Sequence, residues 1–413
     1  MNVTTARQQA PEEETSHAFL GLAVLMRRAF SGEDLKPLAA ELIEHADRHP
    51  EDANALMDLS TILLLTGNRE IALAMQREAL QMQPLYYLAP RSAPSLTVLV
   101  LMAAGDLMAN TPVEFLLEDS TVALHMLYVG ADIPAIEALP EHDVMFVAIG
   151  ESDDNRALLA DLGPVIDDWP RSVVNHPAAI TRLSRDGVST LLQDAEGIHM
   201  PVCVRVPRER IEALVGDKPA ADMLNVTCPY PIIVRPVGSH AGQGLKKIKS
   251  SEEIADYLNG VPSDEFYVAS FIDYRNADGL FRKFRIMLID GAPYIAHMGI
   301  SSHWMIHYLN AGMADNSDKR AEEAAFMACF DQEFAERHRE AFSALARAVD
   351  LRYVGIDCAE GPDGRLLIFE VDSDMIVHAM DPTDLFPYKA EPMARLFNAY
   401  RNMLGRAAAV LRT

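Results

Sequence analysis

The sequence predicts an α/β protein (α+β in the broad sense) fronted by a block of helices. Up to about residue 82, Leu, Ala and Met recur at three- and four-residue intervals with almost no β-branched clusters, the period of amphipathic helices. After Pro90 the pattern turns to short runs rich in Val, Leu and Ile, separated by polar or Pro-containing stretches of helical character. The chain has 413 residues, 49% of them hydrophobic, enough for several cored domains at roughly 100–200 residues each.

Sixty acidic side chains against 36 basic ones give a formal net charge of −24. That argues against a general nucleic-acid binder, which needs a basic face to displace phosphate counterions. Cys203, Cys228, Cys329 and Cys358 are scattered without CxxC pairing, which leaves no zinc module or disulfide framework and suits a reducing cytoplasm. The opening MNVTTARQQAPEEETSH lacks the layout of a signal peptide. Leu96 to Met108 is interrupted by Asp106 and too short to span a bilayer. The expectation is a cytoplasmic protein without membrane or nucleic-acid partners, with a homodimer as the common assembly.

Among the helices, Ala53 to Pro84 carries Leu59 early, Gly67 at a turn, Ala72 and Ala79 where helices touch, and Pro84 as a stop. Pro50 closes a preceding segment that begins near Phe19. These small-residue and turn positions resemble tetratricopeptide (TPR) repeats. The resemblance implies a concave surface for a peptide or protein partner; a helical cap that packs on the next domain stays open beside it. Two repeats are few for independent stability, so the segment is expected to lean on its neighbour.

LTVLVLMA (96–103), VALHMLYV (122–129) and VMFVAIG (144–150) read as strands of a parallel sheet covered on both faces. Ligands sit beyond the C-terminal strand ends of such sheets. Gly105, Asp106, the turn Asn110–Thr111–Pro112 and Glu151 to Asn155 are therefore candidate substrate contacts, against a reading as ordinary turns. No GxGxxG follows the first strand, so a dinucleotide site has little support.

PIIVRPVGSHAGQGLKKIKS (231–250) delivers Arg235 from an apolar strand into a loop with Gly238, Ser239, Gly242, Gln243 and Gly244, then a strand-like LKKI. Such glycines let backbone N–H groups face phosphate oxygens while the cation neutralises charge, although hairpins use glycine too. It is not a Walker A loop. YVGIDCAE places Asp357 just after an apolar strand, GPDG turns the chain, and RLLIFEVDSD returns with Glu370 and Asp372 on one face. Three such carboxylates suit magnesium; a solvated acidic edge is the alternative, but buried unpaired acids are costly. FYVASFIDY (266–274) reads as a hinge strand, and FRKFRIMLIDGAPYIAHMGISSHW as two strands joined at Asp290–Gly291. Arg282, Lys283 and Arg285 cluster there, with period two separating the two arginines; His297, His303, His307 and Asn310 follow.

In this order the glycine loop, hinge, strand arginine, Asp and Glu-x-Asp resemble the ATP-grasp enzymes, nearest the RimK and D-alanine–D-alanine ligase type, over roughly residues 95 to 405. NHPAAITRLSRDGVSTLLQDAEGIHMPVCVRV (175–206) resembles the segment that leads into that fold. The resemblance implies a TPR-like helical region at 1–92, a Rossmann-like pre-ATP-grasp domain at 93–174, and a two-lobed ATP-grasp domain with its lid at 175–270 and its large subdomain at 271–413.

It also implies ATP and Mg2+ as cofactors. Arg235 would contact nucleotide, Gly238 to Gly244 would close over phosphates, and Ser270, Phe271, Ile272 and Asp273 would form the adenine hinge. Arg285 would serve the transferring phosphoryl group, and Asp357, Glu370 and Asp372 would hold the metal. The chain departs from the family pattern at Gly187 and Arg235, where lysines are usual, at Ser270 and Lys283, where acids are usual, and at Asp372, where Asn is usual.

The activity implied is an ATP- and Mg-dependent ligase joining a carboxylate to an amine (or thiol) through an acyl phosphate, on small-molecule, peptide or carrier-protein substrates. His303, His307 and Asn310 would lie on a substrate loop. A non-catalytic scaffold of the same fold, or a kinase, are the rival readings.

Overall fold

The computed structural model describes residues 16–215, 230–239 and 242–410; Cys228 lies outside them. Helices α1 (Gly21–Phe30), α2 (Lys36–Arg48), α3 (Ala53–Leu65) and α4 (Arg69–Met82) come first, where the sequence pattern expects helices. Asp52 caps α3, accepting from the backbone N–H of Asn54 at 3.1 Å and Ala55 at 3.3 Å. Gly67 makes the turn into α4 at φ +83°, a conformation natural to glycine. Ala72 and Ala79 are fully buried, which lets the two helices approach closely. Buried Asp58 accepts from the backbone N–H of Leu20 (2.8 Å) and Gly21 (3.0 Å), tying the start of α1 to α3.

The helices lean on their neighbour. Leu56, Met57, Ala79 and Leu80 share a core with Val98, Val100, Leu124 and Met126 of the following sheet. That sheet holds β1 (Leu85–Leu88), β2 (Leu96–Met102), β3 (Val122–Tyr128), β4 (Val144–Val147) and β5 (Ser172–Val174), in the order β1-β3-β2-β4-β5. β2 to β5 are mutually parallel as expected, and β1 adds an antiparallel edge. Its opposite face, with Leu99, Leu101, Met145 and Val147, packs into a second core shared with the C-terminal half.

Next come β6 (Ile198–His199), β7 (Cys203–Pro207), β8 (Ile232–Pro236), β9 (Lys246–Ile248) and β10 (Glu265–Ser270). β7, β10, β8 and β9 form, in that order, a small antiparallel sheet with its own core of Val206, Ile232, Val234, Ile248, Phe266 and Val268. Then β11 (Phe281–Ile289), β12 (Ala292–Ser301), β13 (Tyr353–Glu360) and β14 (Leu366–Asp372) build a larger sheet ordered β12-β11-β13-β14-β6. Asp290 and Gly291, at φ +50° and +79°, join β11 to β12 in a two-residue hairpin, the turn expected there.

Two expectations shift. The strand reading of 266–274 holds only to Ser270, after which the chain leaves the small sheet and crosses to the large one. Asp357 lies inside β13 rather than past its end, because cross-strand pairing to β11 and β14 continues through it.

Candidate functional site

A cleft of ≈ 510 Å³ opens between the small and large sheets. Ile233, Arg235 and Ala269 line it from the small sheet, Phe271 and Ile272 from the crossing, and Lys283, Arg285, Asp357, Glu370 and Asp372 from the large sheet. Register sets the chemistry. Asp357 stands opposite Arg285 on one side and Glu370 on the other, and Gly355 stands opposite Asp372.

Asp357 is 1% exposed. The Arg285 guanidinium donates to both of its oxygens, Nε at 2.8 Å and Nη2 at 3.0 Å, and Lys283 Nζ lies 2.7 Å from Oδ2. Lys283 and Arg285 are two residues apart on β11 and share a face, whereas Arg282 turns away to Asp278 and Glu322. The β11–β12 register slips between Arg285 and Ile286, a bulge of the kind that re-aims side chains near sites. Nη1 of Arg285 donates to the Ile376 carbonyl at 3.1 Å, which fixes the guanidinium between the carboxylates and the 375–378 segment.

Glu370 receives the guanidinium of Arg185. Arg185 starts the helix Arg185–Leu192, whose cap Ser184 accepts from the Gly187 N–H at 3.3 Å. Asp372 accepts at 3.3 Å from the backbone N–H of Asp374, whose carboxylate is 2% exposed and leaves Oδ1 buried without a partner. Burial works against charge throughout this wall, yet Arg285 and Lys283 hold Asp357 below the usual carboxylate range and Arg185 does the same for Glu370. For the other two burial wins: it pushes Asp372 up, helped by Glu370, although the Asp374 side chain and Arg185 pull the other way, and burial and then Asp372 push Asp374 well up.

Gly242 and Leu245, from the far side of the glycine loop, line the cleft. Arg235 Nε donates to Ser239 Oγ at 3.2 Å and its Nη2 to the Ser239 carbonyl, clamping the turn that leaves β8. Burial and the nearby Arg185 bring the Arg235 guanidinium down to about 10. Gly242 takes φ +75° and passes so close to the large sheet's loop that a Cβ there would fall 2.8 Å from His307 Nε2 and 3.3 Å from Met305 Sδ. Lys247 on β9 sets its ammonium 3.2 Å above the centre of the Phe271 ring, within cation–π range.

Beyond Arg285 the lining turns apolar. Met305, Met375, Ile376 and Val377 face the cleft with His378, and Phe30 from the end of α1 closes this side, 5.4 Å from the His378 ring. His297 also lines it, its ring centre 4.5 Å from that of Tyr308 and tilted against it; burial first, then Arg285 and Lys389, keep His297 far below its ordinary value and so neutral. Cys203 lines the small-sheet side, and burial pushes its thiol up to about 12, which makes it a poor nucleophile.

Of the residues singled out from sequence, Arg235, Gly242, Ser270, Phe271, Ile272, Arg285, His307, Asp357, Glu370 and Asp372 all line this cleft. The others do not. Gly238 and Ser239 belong to the turn clamped by Arg235, and Gln243 and Gly244 are exposed on the loop's outer side. Asp273 pairs with Arg275. Gly105 exchanges hydrogen bonds with the Gln76 side chain and Asp106 pairs with Arg69, so these two residues dock on α4. His303 is exposed, and Asn310 Oδ1 accepts from the His307 N–H, capping a short 3-10 turn. Sequence reading passed over Arg185 and Phe30. It named Lys283 within the Arg282–Arg285 cluster and as a departure from the resembled pattern, but did not draw the shared face that its place two residues before Arg285 implies.

Magnesium fits part of the expected set. Both oxygens of Asp357 accept from cationic side chains and one oxygen of Glu370 accepts from Arg185, whereas Asp372 lines the cleft with no ion pair among the described residues, two positions before the buried, unpartnered Asp374 Oδ1. Among the described residues, no three His, Cys, Asp or Glu side chains gather as a ready-made cation site.

A small antiparallel sheet with a glycine loop, facing a larger sheet that is antiparallel but for its β14–β6 edge and presents carboxylates, is the two-lobed arrangement the motifs imply. The sequence matches no protein-family model and no curated protein. Solved structures similar to it include the D-alanine–D-alanine ligase from Coxiella burnetii, at 12% identity and a TM-score of 0.45, covering 76% of this chain and 96% of that one. Another is the VanG D-Ala:D-Ser ligase from Enterococcus faecalis, at 12% identity and a TM-score of 0.43, covering 76% of this chain and all of that one. A third is a RimK domain ATP-grasp protein from Sphaerobacter thermophilus, at 14% identity and a TM-score of 0.40, covering 74% and 99%. No described helix is long and apolar enough to cross a membrane.

Proposed function

We propose that this chain is an ATP-dependent carboxylate–amine ligase that works through an acyl phosphate and releases ADP and phosphate. One observation carries the reading: four cations, Arg185, Arg235, Lys283 and Arg285, line a single cleft with Asp357, Glu370 and Asp372, under a glycine flap that touches the opposite wall.

Adenine fits against the Phe271–Ile272 crossing, and the phosphates run toward the four cations. A divalent cation on Glu370 and Asp372 would neutralise phosphate charge as the bond to the leaving ADP breaks. Arg285, fixed between Asp357 and the Ile376 carbonyl, stands where the substrate carboxylate meets the terminal phosphate. A carboxylate oxygen attacks that phosphorus and the P–O bond to ADP breaks. The amine nitrogen then attacks the acyl carbon, phosphate leaves with the C–O electron pair, and the proton lost by the nitrogen passes to the departing phosphate or to water. Preorganised donors such as Arg285 stabilise charge that develops in both steps without reorganising at the moment of reaction. Gly242 against His307 keeps water from the acyl phosphate.

The acid and amine enter by the apolar end, so a substrate with an aliphatic or aromatic side chain fits better than a charged one. The test incubates the protein with ATP, magnesium and such acids, with and without amines, and follows ADP. Hydroxylamine converts an acyl phosphate to a hydroxamate and separates the ligase from a kinase. Absence of nucleotide binding by calorimetry would end the proposal. The capture of Asp357 by Lys283 favours one second reading, a protein that binds nucleotide without turning it over; bound ATP with no ADP formed under any acid would establish it.

A further inference from the structure

Lys283 pairs with Asp357, one of the three carboxylates expected from sequence to hold a divalent cation. Three N–H donors from two positive side chains already fill the two carboxylate oxygens, at 2.7, 2.8 and 3.0 Å. Lys283 and Asp357 keep only 16% and 2% of their side-chain surface exposed. A magnesium ion needs its oxygen ligand at about 2.0–2.1 Å and keeps several waters, which would force it against the Lys283 ammonium. Charge leads the same way. Asp357 already has two cations paired to one negative charge, whereas among the described residues Glu370, Asp372 and Asp374 have one ion pair between them, Arg185 on Glu370.

We infer that Lys283 is a built-in counter-ion that replaces a divalent cation at Asp357, so that any metal is held at Glu370 and Asp372 and the nucleotide phosphates meet Lys283 and Arg285 directly. This rests on the ligase reading for the nucleotide, but the metal geometry is testable without turnover.

Mn2+ serves as the probe, titrated into the full-length protein by electron paramagnetic resonance, alone and with a non-hydrolysable ATP analogue. Glu370→Gln and Asp372→Asn each weaken Mn2+ binding by about tenfold or more, as loss of a charged ligand should. Lys283→Met leaves the Arg285–Asp357 pair in place, so the chain folds, and it opens Asp357: Mn2+ binds about tenfold tighter or a second ion appears. Adding Asp357→Asn to Lys283→Met removes that gain. Unchanged Mn2+ affinity and number in Lys283→Met would overturn the inference while leaving the ligase reading standing. Failure of the wild-type chain to bind either Mn2+ or the analogue would overturn both.

Discussion

Replacing Asp357 by Asn takes the charge from the centre of the cleft wall while keeping its shape. Arg285 and Lys283 then lose the carboxylate to which three donors within 3.0 Å are directed, in a site where Asp357 is 1% exposed. Breaking a buried ion pair from one side costs about 3–5 kcal/mol, because a charge is left without compensation. Against a total stability of about 5–15 kcal/mol, this is a large fraction. Lys283→Met by contrast leaves one balanced pair and changes stability by about 1 kcal/mol or less. The double variant is therefore less damaged than the sum of the singles, by a coupling of about 0.5–3 kcal/mol.

Urea unfolding of the four proteins, with far-UV circular dichroism as the signal, measures the cycle. The carboxyl is held below its ordinary value of 3.8, so the gap between wild type and Asp357→Asn is fully present above that pH and shrinks as pH falls below it. A loss under 1 kcal/mol for Asp357→Asn, with no coupling to Lys283, would refute the picture of a buried, doubly paired carboxylate.

Phe30→Ala opens the apolar end of the cleft without touching the nucleotide end; KM for the acid or amine is expected to change several-fold while ATP affinity by calorimetry stays within about twofold. Glu114, pushed up to about 7 by burial, binds its proton more tightly folded than unfolded, so its contribution to stability is lost as pH rises from 4.5 to 7. Glu114→Gln keeps an acceptor for the Ala23 N–H, and melting temperatures at pH 5 and 8 should lie closer together than in the wild type. Part of that slope remains, because Glu151 is also raised to about 7 by burial. Gly187→Lys restores the residue usual in the resembled family but sets a Cβ 2.8 Å from the Arg182 carbonyl oxygen and 2.7 Å from Ser184 Oγ. The expected result is a stability loss of about 1–3 kcal/mol with no gain in ATP affinity; tighter ATP binding at unchanged stability would contradict it.

Local pattern determined much of this protein. Helical spacing marked the first four helices, apolar runs marked β2, β3 and β4, and Asp290–Gly291 marked its hairpin, because these depend on side-chain period and backbone freedom within a few residues. The order of glycine loop, Arg285, Asp357 and Glu-x-Asp was likewise readable, and all of those acids and the arginine reach one cleft. Which of them stay available was decided only by tertiary structure. Pairing β13 between β11 and β14 sets Asp357 against Lys283 and Arg285, and the helix after Ser184 brings Arg185 to Glu370. The same packing spends Gly105 and Asp106 on α4 and carries Phe30 to the cleft mouth. Charge pairing and docking join residues far apart in the chain, and a side chain's local pattern carries no record of the partner that folding sets beside it.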